Sequence, residues 1–285
     1  MDPFVSNAAN FEDVMLWRAL KSVMPGFYID VGAHAPMSGS VSWAFYERGW
    51  SGITIEPDPE LFAAFPEKRP RDVNLNLALG SRSGEMDLSI VVDRRALSTL
   101  NEDEAEARRL EGHTVVRRRV PVRTLAEVWE THVAAGQDVH FLKVDVEGYE
   151  QEVLLGADWT RHRPWLVVIE AARPTTEQPS HEAWEPMLLD AGYRFAYHDG
   201  LNRFYVSEAH PELLPAFAAP PNVFDGFLRA SEAGALNRAK LAEDQATRAR
   251  AGLAAMRASA SWRITAPLRA VGRLIARSRP SGPPA

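Results

Sequence analysis

Four charged side chains fall within the eight residues Lys143-Val144-Asp145-Val146-Glu147-Gly148-Tyr149-Glu150. The run 139–144 before them reads as a strand, whose alternation places Lys143 and Asp145 on one face, with Glu147 in the following loop. Core packing does not call for so many charges at a strand end. Either Lys143 and Asp145 form a structural ion pair, or Asp145 or Glu147 binds a metal or takes a proton while Lys143 tunes it. Two earlier strand ends carry related signals. In Tyr28-Ile29-Asp30-Val31-Gly32-Ala33-His34 a strand meets an acid and then a glycine, which lets backbone come close to a ligand. In Ile53-Thr54-Ile55-Glu56-Pro57 the next strand also ends on an acid, 26 residues after Asp30. A carboxylate there can accept both hydroxyl hydrogens of a ribose; an exposed strand-end acid is the plainer alternative. Gly32 stands alone until Gly39, so the dinucleotide GxGxxG spacing is absent.

The elements that would position these groups alternate. Runs at 27–30, 52–56, 73–79, 139–144 and 165–170 read as strands, and 40–48, 59–65, 125–134, 149–155 and 181–191 as helices. This predicts an α/β fold with a mostly parallel sheet and helices on both faces. Stretches 85–92 and 115–122 add strands around a polar insertion, 93–112, read as a helical lid or a solvated excursion. A strand–turn–strand at 193–206 turns at Asp199-Gly200. Prolines 211, 215, 220 and 221 suggest a linker. The expected organisation is a domain over 1–210, a linker over 211–226, a helical basic tail over 227–277 and a disordered Pro/Gly-rich end over 278–285.

The 285 residues, 46% hydrophobic and 25% charged, exclude disorder throughout. The absence of cysteine excludes disulfides, a thiolate nucleophile and thiolate-bound metal. The most apolar stretch, 165–172, is too short to span a membrane and contains Glu170. Met1-Asp2-Pro3-Phe4 lacks the basic and apolar parts of a secretory signal, so a cytoplasmic location is expected. Eight arginines and no acid lie in 245–285, leaving 24 basic against 38 acidic residues elsewhere, a net −14. An acidic body argues against nucleic acid as a partner.

Asp30-Val-Gly-Ala, Ile55-Glu56-Pro57-Asp58-Pro59, Asn76-Leu77-Ala78-Leu79-Gly80 and Lys143-Val-Asp-Val-Glu-Gly-Tyr-Glu150 occur in that order. Together they resemble the FkbM family of S-adenosylmethionine-dependent methyltransferases over about 27–170. The wording continues through Trp184-Glu185-Pro186 and Asp199-Gly-Leu-Asn-Arg203. The resemblance implies a class I methyltransferase sheet and O-methylation of a hydroxyl, commonly on a sugar or polyketide. Related chains often accompany glycosyltransferases in surface-polysaccharide gene sets, which implies an O-antigen or capsule-type role. By position, Asp30, Gly32 and Ala33, with His34 beside them, would line the methionine side of the cofactor. Glu56 would hold the ribose with Pro57 and Asp58 nearby, and Asn76, Leu77 and Ala78 would lie near the adenine. Two positions depart from the pattern: His34 stands where Asn is usual, and Ser81 where Asp is usual.

Methyl transfer to an alcohol requires in-line alignment and removal of the hydroxyl proton. Asp145, Glu147, Glu170, His34 and His181 are candidate bases, with Asp145 favoured because it ends the strand expected to face the sulfonium. Glu170 ends the next strand and could share a divalent ion, magnesium or manganese, with Asp145. His181 is alternatively only a helix-start residue. His132, His162 and His210 read as surface residues. For the acceptor, His198, Asp199, Asn202 and Arg203 offer sugar-type hydrogen bonds, as do Ser98 and Thr99, and Trp43, Tyr46 or Trp184 a stacking platform; an ordinary solvated hairpin turn is the alternative. Expected partners are a glycan or lipid-linked sugar, glycosyltransferases, a second copy of the chain, and the inner membrane face through the tail. There Ile264, Leu268, Val271 and Ile275 form an apolar stripe and Arg269, Arg273 and Arg277 a basic one, with regular helix from Pro267. Two other functions remain open, a nicotinamide-dependent oxidoreductase and a non-catalytic module of a glycan-assembly complex.

Overall fold

A computed structural model describes residues 3–277, with side chains to Val271. It divides into two compact units, the first ending at Arg229 and the second starting at Ala230. The strands of the first are β1 (Phe4–Ser6), β2 (Phe27–Val31), β3 (Ser51–Ile55), β4 (Val73–Leu75), β5 (Ala78–Leu79), β6 (Gly84–Val91), β7 (Val115–Arg123), β8 (Phe141–Val144), β9 (Leu166–Glu170), β10 (Tyr193–His198), β11 (Asn202–Ser207) and β12 (Phe227–Arg229). Seven of them form one sheet in the order β10-β11-β9-β8-β2-β3-β4. All neighbours from β9 to β4 are parallel, and β11 runs antiparallel between β10 and β9. The chain winds outward one way from β2 through β3 to β4, and the other way from β8 to β9. That reversal between β2 and β8 is where ligands of open α/β sheets bind, at the carboxyl ends of the strands.

Period-two alternation divides the sheet's side chains between two cores. Ile29, Val31, Ile53, Ile55, Leu142, Val144, Val167 and Ile169 pack on one face, and Tyr28, Phe141, Leu166, Val168 and Phe204 on the other. Helices Leu125–His132, Glu150–Leu155 and Glu185–Asp190 contribute buried residues to the first core. Helices Glu12–Leu20 and Trp43–Glu47 cover the second. Local signals set their starts: Thr124 and Glu127 make a reciprocal capping box, and Asp58 caps a helix with Pro59 in its first turn. This is the mixed α/β fold with a mostly parallel sheet that the alternation predicts.

Several expectations need correction. The single strand over 73–79 is broken at Asn76, whose amide donates to the carbonyls of Glu56 (2.8 Å) and Pro57 (3.2 Å), so that β4 and β5 enter different sheets. The segment 211–226 is packed rather than a linker. Its prolines shape tight turns, Leu213 and Phe217 enter the core, and the Arg18 guanidinium donates to the carbonyls of Ala216, Ala219 and Pro220 and to Asp225. No element is expected before Phe27, yet β1 pairs in parallel with β12 and the helix Glu12–Leu20 is buried. His162 is also buried, stacked on Trp129 at 5.1 Å.

The second unit consists of helices Ala230–Ala258, Ala260–Ile264 and Ala266–Arg277. Ile264, Leu268 and Val271 are exposed there, and Arg269 lies 3.7 Å over the Trp262 ring. Among the described residues no helix is long and apolar enough to cross a membrane. The side chains of Arg273, Ile275 and Arg277 lie outside the described residues, as does the segment 278–285 that was expected to be disordered.

Candidate active site

A cavity of about 420 Å³ opens at the carboxyl ends of β2, β3, β8 and β9. Register explains how the sequence-distant charges meet. Asp30 pairs with Lys143 across β2 and β8, and Lys143 with Val168 across β8 and β9, so Glu170, two residues on from Val168, comes alongside Asp145. All of these groups project from the face that carries Tyr28 and Phe141.

Lys143 is the hub. Its ammonium donates to the carbonyl of Gly32 (2.9 Å) and forms ion pairs with Asp145 (3.2 Å) and Asp30 (3.7 Å). Burial pushes its pKa down, but the two carboxylates outweigh burial and hold it raised. Asp30 accepts from the Ser42 hydroxyl at 2.5 Å, and Ser42 accepts from Arg69 (2.8 Å). Arg69 and the Tyr28 hydroxyl both donate to Asp72, completing a buried polar network behind Asp30. The other Asp30 oxygen, Oδ1, is the buried atom that faces Lys143 at 3.7 Å and has no hydrogen-bond partner among the described residues. Glu56 accepts from the backbone N–H groups of His34 and Asp58, each at 2.8 Å; burial, opposed by those bonds, pushes its pKa up to about 7.

Across the cavity floor Asp145, Glu147 and Glu170 gather. Burial, reinforced by Asp145, raises Glu147 to about 9 and Glu170 to about 11. The turn that carries Asp145 and Glu147 is held by Glu150, which accepts from the backbone N–H groups of Val146 and Gly148 at 3.1 Å each. The insertion 93–112 closes over this turn. The Thr99 hydroxyl donates to the carbonyl of Glu147 (2.7 Å), and the Asn101 amide to that of Gly148 (2.8 Å). Arg95 reaches back to form ion pairs with Asp58 and Glu60. The insertion is therefore a helical lid, with Asn101 capping helix Glu102–Leu110.

The cofactor candidates separate into groups. Asp30, Gly32, Ala33, His34, Glu56, Pro57 and Ala78 border the cavity, whereas Asp58, Asn76 and Leu77 stand behind it. Asp58 is taken by the Glu60 cap and Arg95, Asn76 turns the chain, and Leu77 packs on the core. His34 has φ 53, a left-handed conformation that Asn and His tolerate better than most residues, which accounts for the exchange at this position. Ser81, the other departure, donates to Glu152 at 2.5 Å away from the cavity.

Of the catalytic candidates, Lys143, Asp145, Glu147 and Glu170 line the cavity and His181 does not; it lies 3.8 Å from Glu185. Of the acceptor candidates, only Ser98 and Thr99 border the cavity. Asp199 accepts from the N–H groups of Leu201 (2.8 Å) and Asn202 (2.6 Å), holding its own turn. Asn202 donates to buried Glu12 at 3.0 Å, and Arg203 is tied to Glu185 at 2.7 Å and Tyr205 at 2.9 Å. His198 is exposed away from the cavity. Trp43, Tyr46 and Trp184 also lie off it, Trp184 inside the core.

Sequence reasoning missed Glu12, which burial pushes up to about 7 and which accepts from Asn202 and from the backbone of Asn10 (2.9 Å). It also missed Arg69 and Asp72, whose three-residue spacing on a turn is an ordinary ion-pair pattern and signals nothing by itself. A family model described as the methyltransferase FkbM domain matches residues 30–195, which contain every catalytic and cofactor candidate above. No curated protein matches the chain.

Proposed function

The chain belongs to the FkbM methyltransferase family, and from that premise we propose that it transfers a methyl group from S-adenosylmethionine to a sugar hydroxyl in surface-polysaccharide assembly. The observation that carries the cofactor is the pair of acids ending adjacent parallel strands. Asp30 borders the cavity, and its Oδ1, 3.7 Å from the Lys143 ammonium, makes no hydrogen bond among the described residues, a fit for an amino-acid ammonium; Glu56 accepts two backbone N–H groups and keeps lone pairs free for ribose hydroxyls. The cavity volume falls within the range of small-molecule sites. When bound, S-adenosylmethionine supplies an electrophilic methyl group on a sulfonium sulfur. Asp145 takes the proton from the acceptor hydroxyl, and Lys143 orients it. Burial and the neighbouring Asp145 raise both Glu147 and Glu170, which favours Asp145 over them as the base. Ser98 and Thr99 on the lid help exclude water. The sugar acceptor and the polysaccharide setting follow from the family resemblance set out above.

Calorimetry with S-adenosylmethionine, its demethylated product and NAD tests the cofactor; binding of both methyl-cofactor forms and no NAD binding is expected. Glu56→Ala should weaken binding by about 1.5–3 kcal/mol, the range for hydrogen bonds to a charged group. Affinity should also rise with pH through about 7, because the Glu56 anion is the form that accepts both hydroxyls. Asp58 opposes that ionisation, while Lys143 and the N–H groups of His34 and Asp58 favour it. A Kd unchanged from pH 5.5 to 8.5 would place the ribose elsewhere. Incubation with labelled cofactor and host glycan fragments then reads out the acceptor.

The tail is read as a reversible membrane contact. Its arginines carry roughly 1 kcal/mol each near an anionic surface, and Ile264, Leu268 and Val271 are exposed alongside. Full-length chain should sediment with anionic liposomes at low salt, and a chain ending at Ala260 should not. Equal behaviour of the two assigns the helix to self-association instead.

A further inference from the structure

We propose that Asp145, Glu147 and Glu170 form a binding site for one hard divalent cation, magnesium or manganese, on the cavity floor. Each carboxylate offers an oxygen, and these oxygens all lie within 4.8 Å of one another. Oxygens sharing one octahedral ion with bonds of about 2.1 Å stand roughly 3.0–4.2 Å apart, so small side-chain rotations close the set. A cluster of acids alone would carry nothing; the second observation is Glu170. It is 7% exposed, borders the cavity, and its Oε2 has no hydrogen-bond partner among the described residues. A buried carboxylate oxygen without a donor is costly, and a cation is the partner that fits it.

The surroundings agree. Lys143 is in ion-pair contact with Asp145 and Asp30, and among the described residues neither Glu147 nor Glu170 has an ion-pair partner. The Asp145 Oδ2 atom lies 3.2 Å from the Lys143 ammonium. Glu147 sits at φ 55, a conformation non-glycine residues seldom adopt, and the bond from Thr99 to its carbonyl pins it there. The donors are all oxygen, which selects magnesium or manganese over zinc. Three protein ligands leave octahedral positions open to the cavity. An oxygen bound at one of them becomes more acidic; only the idea that this oxygen is the methyl acceptor's rests on the function proposed above.

The experiment is a manganese titration of the full chain without cofactor, with free ion followed by electron paramagnetic resonance. One ion per chain, displaced by magnesium, is expected. Glu170→Gln should weaken binding at least tenfold, and Glu182→Gln, an exposed acid nearby in sequence, should leave it unchanged. Absence of saturable binding, or binding insensitive to Glu170→Gln, overturns the site. If Glu170→Gln fails to fold, Glu147→Gln, on a less buried turn, replaces it under the same two outcomes. Calorimetry with S-adenosylmethionine in EDTA separates the two proposals. Cofactor binding without ion binding overturns the cation site alone, and ion binding without cofactor binding overturns the functional reading alone.

Discussion

Asp145→Asn is expected to slow methyl transfer roughly 10²–10⁴-fold, the usual contribution of a positioned proton acceptor, while cofactor affinity stays within about twofold. The substitution keeps the shape of the side chain and removes its charge. Lys143 retains the Gly32 carbonyl at 2.9 Å and Asp30 at 3.7 Å, so the strand end stays in place. Asp30 and Glu56, which carry the cofactor in this scheme, contact other partners and are not disturbed. Single-turnover rates at saturating cofactor, with the Kd from calorimetry, check both halves. A near-native rate would move proton removal to Glu147 or Glu170, because His181 lies outside the cavity.

Gly32→Ala should cost at least about 3 kcal/mol, combining a left-handed alanine with overpacking against backbone. Gly32 has φ 74, and a Cβ there would lie 1.8 Å from the carbonyl oxygen of Asp145. That oxygen belongs to the backbone of the catalytic turn, so it cannot rotate away as a side chain would. Relief requires β2 and β8 to separate at the point where the cofactor and the proton acceptor must meet. At about 2–4 °C per kcal/mol for a unit of this size, the melting temperature should fall by roughly 6 °C or more. Cofactor binding should weaken with it. A variant that melts and binds like the wild type would show that the turn does not need this close approach.

Much of the site was legible because strand alternation acts locally. Asp30, Glu56, Lys143 and Asp145 follow from runs of apolar residues that end on charge, and Gly32 from the turn between them. Asp58 with Pro59, and Thr124 with Glu127, mark helix starts for the same reason: a cap is satisfied within three residues. The helix Glu12–Leu20 was equally legible, with Val14, Met15, Leu16 and Leu20 on its buried side, but no expectation was drawn from it.

What the sequence by itself determined was therefore the alternating α/β order, the acids at the strand ends, and the family that these motifs resemble. Only the tertiary structure decided which polar groups reach the cavity. The turn 198–203 is rich in hydrogen-bonding groups, but Asp199 folds back on its own backbone, Asn202 meets Glu12 from 190 residues away, and Arg203 finds Glu185. Pro211 to Pro221 resemble a linker until Arg18 gathers their carbonyls from the far end of the chain. Glu170 joins Asp145 and Glu147 only because β9 pairs with β8 in one particular register. Each of these outcomes depends on partners distant in sequence, and whether a buried polar group is satisfied is a property of the packed fold that no local pattern encodes.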